Sequence, residues 1–176
     1  RCFMESTWMH ASNAGVIGLI HPESHFTDEK AGPLRADTYL RMRRHWQFVN
    51  ELQLFDRDHH LSYGVHIYGS KRLEPNFLMA SSLYHPDTVE RSLKHDGSGL
   101  EPGLKDSGGD WDMRPHLSRI VEVNENTLVA WHTLLENTET PNDHSRMVYA
   151  VNRSVAAVLN KLAKAPRFGQ LGVYFS

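Results

Sequence analysis

Cysteine is nearly absent: Cys2 is the single one in 176 residues. No disulfide can form within the chain, and Cys2 sits in no motif that would activate a thiol. The low cysteine count fits a reducing cytoplasm, the expected location. No apolar run approaches the ~20 residues that span a bilayer. The formal net charge of -2 excludes a uniformly basic nucleic-acid binder, although a local basic face is compatible with it. No Gly-x-x-x-x-Gly-Lys phosphate loop, no Gly-x-Gly-x-x-Gly after a strand and no Gly-x-Ser-x-Gly elbow occurs. The chain therefore carries no complete nucleotide site and no recognisable hydrolase nucleophile.

What is present is the composition of a folded domain, with 40% hydrophobic and 23% charged residues. The chain opens on Arg1, with no charged-then-apolar leader, and closes on the apolar "GQLGVYFS". Both ends are expected to be cuts in a longer protein.

Residues 1–13 read as the tail of a helix stopped by "SNAG". Val16 to Ile20 is a continuous apolar run, which suits a strand buried on both faces of a parallel sheet. Pro33 opens a helix, "PLRADTYLRMRRHW". "QFVNELQLF" then alternates as a strand, and after the loop "DRDHHLS" the stretch "YGVHIYG" reads as a second. The short gap predicts an antiparallel hairpin, and strand-helix-strand predicts a right-handed parallel crossover.

Beyond residue 72 the pattern turns mostly helical. "HPDTVERSLKH" starts a helix with Asp87 or Thr88 as its cap. Residues 96–116 form a Gly-, Pro- and Asp-rich loop, long enough to be functional or disordered. "RIVEV" is a short strand; "NTLVAWHTLLEN" and "SRMVYAVNRSVAAVLNKLAKA" are amphipathic helices.

Twelve histidines call for a metal reading. His21 and His25 stand four apart, but that spacing aligns ligands only on a helix, and Pro22 interrupts it. "DHH" at 58–60 with His66 is a second group. Neither supplies three convergent ligands from sequence alone, so no metal is expected. Lys30, Arg35, Arg41, Arg43 and Arg44 are candidate DNA-backbone contacts; a solvated outer helix face is the favoured reading of them. Phe55, where the first hairpin strand is expected to end, is either a core residue or a platform for a planar ligand such as a nucleobase.

"GVIGLIHPESHF", "GPLRADTYLRMRRHWQFVNELQLF" and "HLSYGVHIYG" together resemble the later catalytic-domain motifs of adenine-specific DNA methyltransferases. The likeness is to the large methylases of restriction-modification and phage-defence systems, and it covers residues 1 to about 72. It implies an α/β fold: a partial Rossmann-like class I methyltransferase sheet in residues 1–72, ending in an antiparallel hairpin, and a mostly helical connector in 73–176 toward a target-recognition region. It further implies S-adenosylmethionine as cofactor, double-stranded DNA as partner and a target adenine flipped from the stack. On this resemblance Phe55 stacks on the flipped base, His60 and Tyr63 line the same pocket, and Pro22 with Glu23 forms the loop beside it. Glu23 and His25 have no certain counterpart. The family's glycine-rich cofactor loop and its Asn-Pro-Pro-Tyr motif are missing and are expected ahead of Arg1, so the fragment alone is expected to be inactive, with no catalytic residue of its own. A DNA-binding or specificity module without activity, and a histidine-rich metal-binding protein, are the alternatives.

Overall fold

The computed structural model describes residues 2–167. They form a mixed α/β fold with helices α1 (Cys2–His10), α2 (Ser24–Thr27), α3 (Gly32–Arg41), α4 (Pro86–Leu93), α5 (Glu125–Leu135) and α6 (Arg153–Leu162). The strands are β1 (Ile17–Pro22), β2 (Met42–Val49), β3 (Ser62–Tyr68), β4 (Asn76–Leu83) and β5 (Val121–Asn124). They make one sheet in the order β1-β3-β2-β4-β5.

The expected hairpin is present: β2 and β3 pair antiparallel, with His45 opposite His66 and Phe48 opposite Tyr63. β3 also pairs antiparallel with β1. β1 and β2 consequently run in the same direction, as the crossover through α3 predicts, but β3 lies between them. β1 is an edge strand. Its residues alternate between half-buried and exposed, and Ile20 is 60% exposed, so the expectation of burial on both faces is corrected. A one-sided antiparallel strand alternates because only one face meets the core.

The helix expected to reach Trp46 ends at Arg41, and Met42 turns directly into an extended conformation. Met42 is fully buried and pairs with Tyr68. Tertiary pairing and burial thus override a local sequence that contains no helix-stopping glycine. The following strand ends at Val49 rather than Phe55, in a one-turn 3-10 helix, Asn50–Leu52.

The segment beyond residue 72 contributes strands as well as helices. β4, which the sequence pattern did not reveal, pairs parallel with β2 and antiparallel with β5. α4 is capped by His85, whose ring accepts from Asp87 N–H at 3.2 Å, rather than by Asp87 or Thr88. The long helix expected from Ser145 begins only at Arg153, where Asn152 caps it by accepting from Val155 N–H at 2.8 Å. Residues 145–152 form neither helix nor strand, and Met147 N–H donates to the Phe26 carbonyl at 3.0 Å.

Two clusters form the core. Tyr39, Met42, Tyr68, Phe77, Met79, Val123 and Trp131 belong to one, and Trp46, Phe48, Ala80, Leu83, Val89 and Ile120 to the other. Alternating residues of β4 enter alternate clusters, so the two lie on opposite faces of the sheet.

The loop 96–116 is tied down through Asp112, which is 2% exposed. Its carboxylate accepts from Gly103 N–H at 3.0 Å and from Arg114 at 2.7 and 3.0 Å, and lies 3.7 Å from the buried Arg119 guanidinium. Trp111 stacks on Tyr84 at 4.8 Å, with the Lys105 ammonium 3.4 Å over its ring. Among the described residues no helix is long and apolar enough to cross a membrane.

Candidate functional site

β1 and β2 deliver their C-terminal ends to the same edge of the sheet, where open α/β sheets place their ligands. There an open cavity of about 630 Å³ is lined by His21, Pro22, Asn50, Phe55, Arg57 and Tyr63, among others. Phe55 lies in the β2–β3 loop, 43% exposed, with its ring edge-on to Tyr63 at 4.9 Å. Asn50 shapes that loop. Its amide donates to the carbonyls of Phe55 at 3.0 Å and Arg57 at 3.1 Å, and its oxygen accepts from Phe55 N–H at 3.1 Å. Tyr63, at the start of β3, stacks on Phe48 at 5.5 Å, and burial raises its pKa, keeping the phenol protonated. Pro22, Phe55 and Tyr63 therefore meet at one cavity. His60 does not line it; it is exposed on the loop beside His59.

Glu23 faces away from the cavity, into the protein. It is 8% exposed and sits between two histidines from adjacent strands, with Oε2 3.1 Å from His45 Nε2 and Oε1 3.4 Å from His66 Nε2. Both rings are fully buried, and their Nδ1 atoms are 3.0 Å apart. The Tyr149 hydroxyl donates to Glu23 Oε2. Burial, then the neighbouring His45, His21 and His25, push the His66 pKa far down, so its ring is held neutral. Burial, reinforced by the Glu23 charge, likewise raises the Tyr149 pKa.

His21 joins the two regions. Its ring lines the cavity, stacks on His66 at 3.8 Å and contacts the Tyr68 hydroxyl at 3.1 Å. Burial lowers its pKa. His45 was hidden in the sequence because it fell within an expected helix. The alternation of β2 against β3 would have paired it with His66.

The basic candidates separate. Arg35 is 1% exposed and donates to the carbonyls of His25 at 3.1 Å, Asp28, and His144 at 2.7 and 2.9 Å. It ties α2 and α3 to the segment at residue 144, and its placement in the core corrects its reading as a phosphate contact. Arg41 is half-buried, paired with Asp37 at 2.6 Å and seated 5.0 Å from the Trp8 ring centroid. Arg43 donates to the Ser70 carbonyl at 2.5 Å. Lys30 and Arg44 are exposed.

No protein-family model and no curated protein matches the chain. Among solved structures it is similar to the type IIG restriction endonuclease BpuSI, with 14% identity and a TM-score of 0.39 over 78% of this chain and 17% of that one. The chain thus spans less than a fifth of the length of that structure, and no functional assignment rests on the likeness.

Proposed function

We propose that this chain is the later part of the catalytic domain of an S-adenosylmethionine-dependent DNA methyltransferase acting on the amino group of adenine, in a restriction-modification or phage-defence system. The observation that carries the reading is the convergence of Phe55, Tyr63 and Pro22 on one open cavity at the C-terminal ends of β1 and β2. Two further features support it. The strand-helix-strand unit closes on a reversed strand, as a partial class I methyltransferase sheet requires. Phe55 sits on a loop braced by Asn50 rather than in a core cluster.

Phe55 offers a face to a flipped adenine, and Tyr63 supports that ring edge-on. Lys30 and Arg44 remain available to DNA phosphates. S-adenosylmethionine supplies the methyl group; these 176 residues carry no glycine-rich cofactor loop. The test is methyl transfer from S-adenosylmethionine to duplex DNA by the full-length gene product, with N6-methyladenine as the readout. A gene product that binds DNA without methylating it would favour the specificity-module alternative.

A further inference from the structure

The cluster of Glu23, His45 and His66 is not needed for base stacking, yet it places three polar side chains from three segments at one buried point. Its proton inventory is awkward. The 3.0 Å contact between the two Nδ1 atoms needs one ring to donate and the other to accept. If both rings are neutral, the donating ring turns a bare Nε2 toward Glu23. In that arrangement a lone pair faces a carboxylate oxygen. Consistent with this, His45 Nε2, His66 Nε2 and Glu23 Oε1 are buried and have no hydrogen-bond partner. Buried polar atoms left in this way cost about 1–3 kcal/mol each.

A cation removes the conflict at the Nε2 atoms, because Glu23, His45 and His66 each offer a metal-ligand atom within 4.8 Å of the others. Ligands about 2.0–2.2 Å from a tetrahedral metal stand roughly 3.4 Å apart, and Glu23 Oε1 lies 3.4 Å from His66 Nε2. Gly64 keeps the point open: a Cβ there would lie 2.1 Å from Glu23 Oε1 and 2.3 Å from His66 Nε2. Tyr149 holds Oε2 and so orients the carboxylate, leaving Oε1 to coordinate.

We propose that Glu23, His45 and His66 form a binding site for one divalent first-row transition-metal ion, with Zn2+ as the reference occupant, beneath the floor of the cavity. The site is structural: it fastens the turn after β1 to β2 and β3, and His21 stacks over it. Coordination takes up the lone pair of both Nε2 atoms and leaves both Nδ1 atoms protonated, so the 3.0 Å Nδ1–Nδ1 contact opens by a tilt of one ring on binding. The proposal does not depend on the methyltransferase reading.

The experiment titrates the chelator-stripped chain with Zn2+ in a His59→Ala/His60→Ala background, which removes the exposed group Glu51, His59 and His60. Expected are one Zn2+ per chain and X-ray absorption showing two imidazoles with oxygen donors. Adding Glu23→Gln should weaken binding by at least about 10–100-fold, with circular dichroism confirming the fold. Stoichiometric binding lost in the His59→Ala/His60→Ala background, unchanged affinity in the folded Glu23→Gln variant, or bound zinc with fewer than two imidazoles would each overturn the proposal. If Glu23→Gln does not fold, the absorption spectrum of the background protein decides alone.

Discussion

His45 and His66 stand opposite each other in the β2–β3 ladder, with their Nδ1 atoms 3.0 Å apart and both Nε2 atoms turned to Glu23. This register fixes how tightly the turn after β1 packs on the sheet. Gly64, two residues before His66, is the only residue type that fits there, since any Cβ would strike the Glu23 carboxylate and the His66 ring.

Gly64→Ala is therefore expected to destabilise the chain by about 1–3 kcal/mol, the usual cost of overpacking. Urea unfolding measures it. A midpoint equal to that of the parent would show that the cluster has slack.

Arg35→Gln removes a buried guanidinium from three carbonyl groups, and a loss of about 3 kcal/mol or more is expected from charged hydrogen bonds of this kind. Arg44→Ala, at an exposed position, should stay within ~0.5 kcal/mol of the parent. On the DNA-binding reading Arg44→Ala also lowers the salt slope of DNA affinity by about 1. Equal stabilities for the two variants would contradict the core role of Arg35.

Asp112→Ala leaves Arg119 buried without its carboxylate and frees the hairpin around Gly103. A loss of about 3–5 kcal/mol is expected, as when one member of a buried pair is removed. Proteolysis should then cut within residues 96–116, and an uncut loop in the variant would argue against the latch.

Acid should weaken the fold through the same group. Burial raises the Asp112 pKa, but hydrogen bonds from Arg114 and Gly103 and the Arg114 charge outweigh it and hold the group below its ordinary 3.8. Glu136 behaves alike: burial raises it, and Arg146 brings it below 4.5. With folded pKa values depressed, these groups contribute stability above their unfolded values, and it is lost as pH falls through the folded ones. Urea midpoints should decline below about pH 4.5, and Asp112→Asn should flatten that decline. An acid limb as steep in Asp112→Asn as in the parent would assign it to other carboxylates.

Local signals explain what was legible from sequence. Pro33 marked α3 and the "YGVHIYG" alternation marked β3, whereas Asn152, the cap of α6, was passed over inside a longer expected helix. The end of α3 was not legible, because Met42 becomes extended only through pairing with Tyr68 and burial. β4, "NFLMASSL", is too small and mixed in its residues to alternate clearly; its place next to β2 is set by nonlocal pairing. Phe55 and Tyr63 were placed in one pocket by the family resemblance, and the legible hairpin brings them to one cavity while leaving His60 outside it. Glu23 could not be placed in the interior, since its partners lie on strands 22 and 43 residues further along the chain.

The most direct test is N6-methyladenine formation by the full-length gene product, compared between the parent protein and Phe55→Ala. Base–aromatic stacking of about 1–3 kcal/mol predicts methylated adenine with the parent and a fall in kcat/KM of roughly 5- to 150-fold in the variant, at unchanged stability. Absence of methyladenine with the parent protein, or unchanged kinetics with Phe55→Ala, would contradict the account.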